Sequence, residues 1–433
     1  MGFWDKILSR QQSSIPEISF GRFSDAYKSK EQYLDWDASL KLFEQGNTKE
    51  SIKHLLLYLK NQSGDNLVSE EEGRFILYQG SKQIHCQFDE RIFKAVCLVA
   101  HCKELNVGFL RKAVEHNFRL NYARFALDAD DNLCLIFDSL LADASPYKLY
   151  YGLKELALQA DKDDDILLDE FEYLEPIQNQ HVKLLSPEIR AIKIKFIREQ
   201  IQKVFEPEVL GTLNPRRFQG ALTYVYLAVV YELDYLVKPE GKLMDILSTM
   251  HIKYFEAAPE NTELKVSILE SGLKEILEMQ DEALAKELYE VIASFGITSP
   301  VKQPTITQFI DAEIQAVKWY EENKHERICV AICNYIAGYC LYNFAMPEPV
   351  RSLFHLYFEI SFSSYFKSLG FSINYWRNEQ ALNFNEINDE IETILDRFPA
   401  ALSEEPTKAK FKESAPAVFL KEFLMFIKDL PLA

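Results

Sequence analysis

Residues 107–171 constrain the fold more than any other stretch of this chain. They read as a helix over 107–120, strands over 122–128 and 133–138, and a long helix over 146–171. The polar run 128–132 is a hairpin turn between the two strands. Leu149, Leu153, Leu156, Ala157 and Ala160 recur at helical spacing and form the buried stripe of the closing helix. Phe109, Leu110, Ala113, Val114 and Asn117 place one face of the first helix on the sheet.

Upstream, 74–78, 82–88 and 92–102 read as three further strands, with Gln79-Gly80-Ser81 as a tight turn and Asp89-Glu90 opening the next. Residues 95–100 are nearly all apolar, which predicts a central strand covered on both faces. The sum is α+β: an antiparallel five-stranded sheet with flanking helices over 65–175. Before it, 1–64 read as an N-terminal arm and a helical hairpin, with Gly46-Asn47 between the helices and Thr48 as the N-cap of the second.

Phe109-Leu110-Arg111 leading to Asn117, Tyr122-Ala123-Arg124-Phe125-Ala126-Leu127-Asp128, Leu133-Cys134-Leu135, and Tyr150-Tyr151-Gly152-Leu153-Lys154-Glu155-Leu156 through Ala160-Asp161 form a pattern. It resembles the type III secretion chaperone-like fold, and within it the YbjN-type bacterial sensory-transduction regulators. The resemblance covers 65–175. It implies an acidic cytoplasmic protein, often dimeric, that binds other polypeptides without catalysis, and it carries no catalytic residues over. The long C-terminal extension departs from that family.

After a linker over 172–187 the chain reads as helical almost throughout, at 187–205, 215–237, 240–257, 262–279, 281–295, 306–323, 325–345, 347–369, 373–398 and 415–428. This all-α helical region divides into domains at 187–300 and 301–433, or forms one unit.

Composition narrows the function. At 433 residues, 48% hydrophobic, the chain has ample material for packed cores. Its net charge of -18 disfavours nucleic acid and anionic lipid as partners. Seven cysteines, odd in number and set mostly in apolar runs, match a reducing compartment. Asp5 and Lys6 interrupt what a secretory signal needs, and Lys6 stands where N-myristoylation wants Ser or Thr, so a cytoplasmic location is expected.

Motifs that carry chemistry are few. Asp161, Asp163, Asp165, Asp169 and Glu172 fall at calcium-loop positions, but Ile166 stands where the loop turns on Gly, so a solvated acidic helix face is expected. Asp128, Asp130 and Asn132 echo the motif and read as a turn. Cys329, Cys333 and Cys340 share a stripe without a completing ligand, and they read as core, as do Cys97, His101 and Cys102. Residues 328–346 could just span a bilayer by length, yet Asn334 and Asn343 favour a buried bundle helix. No GxSxG, Walker A, GxGxxG or HExxH motif occurs. We therefore expect no catalytic, cofactor or metal site.

The aromatic run Phe354, Tyr357, Phe358, Phe362, Tyr365 and Phe366 exceeds what one buried face needs and is the candidate partner-binding surface. Phe3, Trp4, Ile7 and Leu8 are expected to dock on the parent fold. The reading is a cytoplasmic protein-binding module, chaperone-like or regulatory, acting by sheet-edge addition or through an apolar groove. Its partner is another polypeptide or a second copy, with no nucleic acid and no membrane insertion. The competing reading is a small-ligand receptor or enzyme with a pocket between the sheet domain and the helical region.

Overall fold

The computed structural model describes residues 16–23, 28–61, 63–177, 181–378, 381–404, 411–412 and 414–432, with the side chains of 163–165 and 169 also outside that description. Phe3, Trp4, Ile7 and Leu8 thus lie outside the described residues. The chain divides into two units. A sheet unit takes Phe23–Leu184 and Tyr289–Ser299. A helical unit takes Leu185–Leu288 and Pro300–Ala433, together with the N-terminal segment that ends at Arg22. The class is α+β, a large antiparallel sheet with flanking helices followed by a helical region.

The sheet is ordered around its longest strand. Strands Leu67–Glu71 (β1), Arg74–Gly80 (β2), Lys82–Phe88 (β3), Ile92–Cys102 (β4), Arg124–Leu127 (β5) and Asn132–Leu140 (β6) line up as β1-β2-β3-β4-β6-β5. All neighbours are antiparallel. The five expected strands are β2 to β6. Short strands Leu174–Pro176 (β7) and Ile292–Ala293 (β10) extend the sheet against β4 and β2, and β1 adds an edge.

In β4, Phe93, Ala95, Cys97 and Val99 are buried, whereas Lys94, Val96 and Leu98 are only half-buried. The expected double cover of 95–100 is therefore corrected. Pleating sends alternate side chains to opposite faces, and only one face receives the full helical layer. That layer is Pro146–Glu170 (α4), whose Leu149, Leu153, Leu156, Ala157 and Ala160 are all buried as the spacing demands. At Gly152 a Cβ would stand 2.5 Å from the Phe137 ring, so glycine sets how closely α4 approaches. Lys30–Glu44 (α1) and Thr48–Leu59 (α2) form the hairpin, pinned where the Ser39 and Ser51 hydroxyls each donate to the other's carbonyl at 2.7 Å. Asn47, not Thr48, is the N-cap of α2, and Thr48 is its first residue.

Two more readings are corrected here. The region 172–187 holds β7 and Lys183–Leu184 (β8). The expected helix over 281–295 stops at Lys286, and Tyr289–Glu290 (β9) and β10 pair with β8 and β2. Tyr289, Val291 and Ile292 suit a strand, and Gly296 ends the run. Ser294 and Phe295 donate backbone N–H groups to the Gln79 side chain at 3.1 and 2.9 Å, which ties this late segment to β2.

In the helical unit the helices are Pro187–Val204 (α5), Gln219–Glu232 (α6), Gly241–Glu256 (α7), Thr262–Glu278 (α8), Asp281–Lys286 (α9), Gln303–Glu322 (α10), Glu326–Asn343 (α11), Val350–Ser361 (α12), Ser363–Ser368 (α13), Phe384–Arg397 (α14) and Pro416–Lys428 (α15). α6 is apolar all round and lies at the centre. The segment Gln219–Val237 is long and apolar enough to cross a membrane, but 89% of it is buried inside the fold, the condition of a core helix. Residues 328–346 fall on α11, which packs on α6 so closely that a Cβ at Gly338 would meet Tyr231 at 2.5 Å. The expected single helix over 347–369 breaks at Phe362. The expected helix over 373–398 begins only at Phe384, after a small hairpin of Trp376–Asn378 with Ala381–Leu382.

α6 ends in a π-helical turn, Leu233–Val237, which leaves backbone carbonyls without helical partners. Three outside donors meet them. The Gly21 N–H reaches the Tyr235 carbonyl at 2.8 Å, the Tyr365 hydroxyl the Leu236 carbonyl at 3.1 Å, and the Lys193 ammonium the Val237 carbonyl at 2.7 Å. The turn also buries Asp234, whose carboxylate accepts from Arg22 Nε at 2.6 Å. The same guanidinium donates to Ser248 at 2.9 Å and lies 4.7 Å from the Tyr342 ring centroid. Removing one member of a buried pair strands the other charge. We expect Arg22→Met to cost about 3–5 kcal/mol, and Arg22→Met with Asp234→Leu to recover most of it. Urea unfolding followed by circular dichroism measures both; equal losses in the single and double variants would show that the pair is not the anchor.

Candidate functional site

Several polar side chains of the helical unit are bonded to one another within or against its core. Glu232 accepts from Asn334 Nδ2 at 2.8 Å, and Asn334 Oδ1 accepts from the Tyr357 hydroxyl at 2.8 Å. Burial pushes the Glu232 carboxyl up to about 7, against the pull of Asn334 and Lys203. Tyr231 and His251 share a hydrogen bond at 2.8 Å, and burial with the nearby Arg22 charge pushes His251 down to about 4. Tyr224 donates to Glu313 at 2.8 Å. Each of these groups is spent on another side chain inside the helical core. A cleft of about 380 Å³ between α7 and α8 is lined by Asp245, Thr249, Lys253, Ser267, Ser271 and Glu275, with Ser267 and Ser271 exposed. Ile246, Met250, Ile268 and Gly272 complete the lining, so the groove is mixed in character and gathers no convergent set of buried polar groups.

The sequence candidates fall as follows. Phe354, Tyr357, Phe358, Tyr365 and Phe366 are buried in the helical core, and Phe362 is half-buried against it. They fill the space between α6, α11, α12 and α13, so in this fold they present no face to a partner. Cys329, Cys333 and Cys340 are buried on α11, where burial pushes each thiol up, away from reactivity. Cys97 and Cys102 are buried, and His101 is bonded to Asn132 at 3.0 Å. Among the described residues no group of three or more His, Cys, Asp or Glu side chains is placed to hold a metal ion. The 161–172 run is helical through Glu170, and Asp161 turns back to accept the Ser81 N–H at 2.9 Å. Asp128 accepts from the Asp130 and Asn132 N–H groups at 2.9 and 2.8 Å, the expected turn.

Among the described residues, Val107–Asn117 (α3) and its C-cap carry a row of strongly exposed apolar side chains. Phe109 and Ala113 are buried, which fixes the inward face. Val107, Val114 and Phe118 are 81%, 67% and 94% exposed, far too open for residues of this kind to be serving the core. Together with Arg111 they fall at 107, 111, 114 and 118, the four-three-four spacing of a coiled-coil seam. Val114 is therefore corrected: it lies on the outward stripe, not on the sheet side.

Asn117 does face the sheet, and its role is specific. β5 is the last strand of the sheet. Its outward edge at Phe125 would offer an N–H and a carbonyl to any passing strand. Asn117 takes both, accepting the Phe125 N–H at 2.6 Å and donating to the Phe125 carbonyl at 3.2 Å. Just upstream Glu155 accepts the N–H groups of Asn121, Tyr122 and Ala123 at 2.8, 2.6 and 2.8 Å. Burial opposes its charge, but these donors prevail and hold the carboxyl below its ordinary value. The edge is capped at Phe125 and just upstream of it, and beside this capped stretch lies the exposed α3 stripe. The sequence carried this signal as a second apolar repeat in 107–118, hidden because the first repeat already explained the helix.

No protein-family model matches the chain, and a search of curated proteins gives no match either.

Glu232 supplies a test of the helical core. A carboxyl held at about 7 in the folded chain, above its ordinary 4.5, keeps its proton more tightly when folded. Its stabilising contribution is full below about pH 4.5 and is lost as pH rises through 7. Glu232→Gln keeps the bond from Asn334 and removes the titration. The variant should match the wild type near pH 4.5 and exceed it by about 3 kcal/mol at pH 8. Denaturant unfolding across pH measures the difference; a pH-independent gap would show that Glu232 does not titrate in the core.

Proposed function

We propose that this chain is a cytoplasmic, non-catalytic polypeptide-binding module, chaperone-like or regulatory, and that its partner docks on the outward stripe of α3. The observation that carries this reading is the row of Val107, Val114 and Phe118, exposed on a helix whose other apolar face is already buried. An apolar row left in water along one face of a helix is what partner surfaces are made of. The strand and helix order over 65–175, with its resemblance to secretion-chaperone-like proteins, supports the same class. Of the two docking modes open to such a module, the capped β5 edge favours side-chain docking over strand addition.

The test places the photo-crosslinking residue p-benzoylphenylalanine at position 107 of the full chain in its host cytoplasm. A polypeptide adduct of defined mass is expected, reduced at least about fivefold by Phe118→Asp. Because Phe118 is almost fully exposed, that substitution should change folding stability by no more than about 0.5 kcal/mol. Absence of a polypeptide adduct, or a yield that ignores Phe118→Asp, overturns the reading.

A further inference from the structure

The α3 stripe also specifies what kind of segment it takes. Resting on the polypeptide-binding reading above, we infer that α3 receives one amphipathic helix from a different polypeptide, with a carboxylate placed opposite Arg111 and apolar residues on either side of it.

The spacing points to a helix. Residues recurring at three and four along one stripe present ridges that fit between the side chains of a second helix, whereas a strand repeats every two residues. The Asn117 clamp on Phe125 occupies the outward N–H and carbonyl at the middle of the neighbouring strand, which disfavours strand pairing there.

The charge points to the partner's chemistry. Arg111 stands inside the seam between Val107 and Val114, so a docked helix covers it. Its present partner is Glu115, one turn along at 3.0 Å, with the two side chains 79% and 60% exposed. An ion pair that open to water is worth little and yields readily to a better-placed group. Once covered, the guanidinium needs a carboxylate from the incoming helix, since a buried cation without one is costly. Arg119 follows just past the helix end, while Lys112 on the flank is already neutralised by Glu170, so Arg111 is the cation that stands within the seam itself.

The same residue argues against a second copy. Two α3 helices related by a two-fold axis set Arg111 against Val114 of the other copy when antiparallel, or against Arg111 itself when parallel. Neither arrangement places a carboxylate directly opposite. The seam runs from Val107 to Phe118, about 16 Å along the helix axis, and is far short of the roughly 20–30 residues a side of a standard interface. Such a contact suits a weak, exchangeable partner helix rather than a permanent dimer. An anionic membrane would be repelled at long range by the acidic whole.

The test uses two synthetic helical peptides of about 18 residues, each with leucines at three seam positions, one with Glu and the other with Lys at the position that meets Arg111. Fluorescence anisotropy measures their binding to the full chain. The Glu peptide should bind at least about tenfold more tightly than the Lys peptide. Arg111→Glu should reverse that order, and Phe118→Asp should abolish both. Equal affinities, a preference unchanged by Arg111→Glu, or no binding of either peptide overturns the inference. So would Phe118-dependent binding to phosphatidylcholine–phosphatidylserine vesicles, or a concentration-dependent increase in mass that Phe118→Asp removes. A polypeptide adduct from position 107 that persists while both peptides fail would sink this inference alone, and loss of the adduct as well would sink the reading beneath it.

Discussion

The end of the sheet at β5 imposes the constraint on which the surface of the sheet unit depends. An edge strand must hide its unpaired N–H and carbonyl groups or invite another strand. Here one side chain, Asn117, meets both groups of Phe125, and Glu155 gathers the three N–H groups before it. For Asn117 to reach Phe125 while Phe109 and Ala113 enter the core, α3 can adopt only one rotation about its axis. That rotation turns Val107, Val114 and Phe118 to solvent. The exposed stripe is the consequence of closing the edge on a helix whose apolar residues occupy more than one face.

The helical unit uses its polar groups in the opposite way. The π-helical turn at 233–237 interrupts the most buried helix and leaves carbonyls and the Asp234 carboxylate to be satisfied. Arg22, Gly21, Tyr365 and Lys193 do so from distant parts of the chain. Phe20 secures the same segment, with its ring centroid 4.9 Å from that of Phe366 and 5.3 Å from that of His355. Glu232, Asn334 and Tyr357 close a second buried set. Such groups resemble catalytic residues in burial and in shifted titration, yet each is committed to holding helices together. Perturbed pKa values mark function only where a pocket accompanies them.

Local regularities were readable in the sequence. The strands at 82–88 and 92–102 begin and end where their alternation and turn residues placed them, and α4, α5 and α8 follow their apolar spacing. What escaped was set by distant chain. The helix expected over 281–295 gave way because Gln79 and β8 supply strand partners roughly a hundred residues or more away. The π-helical turn is stabilised by Arg22, about two hundred residues off, which no local period can register. The aromatic run at 354–366 was counted as surplus, because the sequence does not show how many helices surround α12. Val114 was assigned to the wrong face because a helix with two apolar stripes has an ambiguous inside until its neighbours are known.

The central claim is that α3, and not a sheet edge, is where a partner sits in the cell. The most direct measurement compares labelling of single introduced cysteines by a membrane-permeant maleimide, in intact cells and in purified protein. The seven native cysteines are buried and give a low background. Positions 107 and 114 should label more slowly in cells than in the purified chain, while position 68 on the β1 edge and position 127 on β5 should label equally in both. Slower labelling at 68 or 127, with 107 and 114 unchanged, would contradict the account and return the partner to the sheet edge.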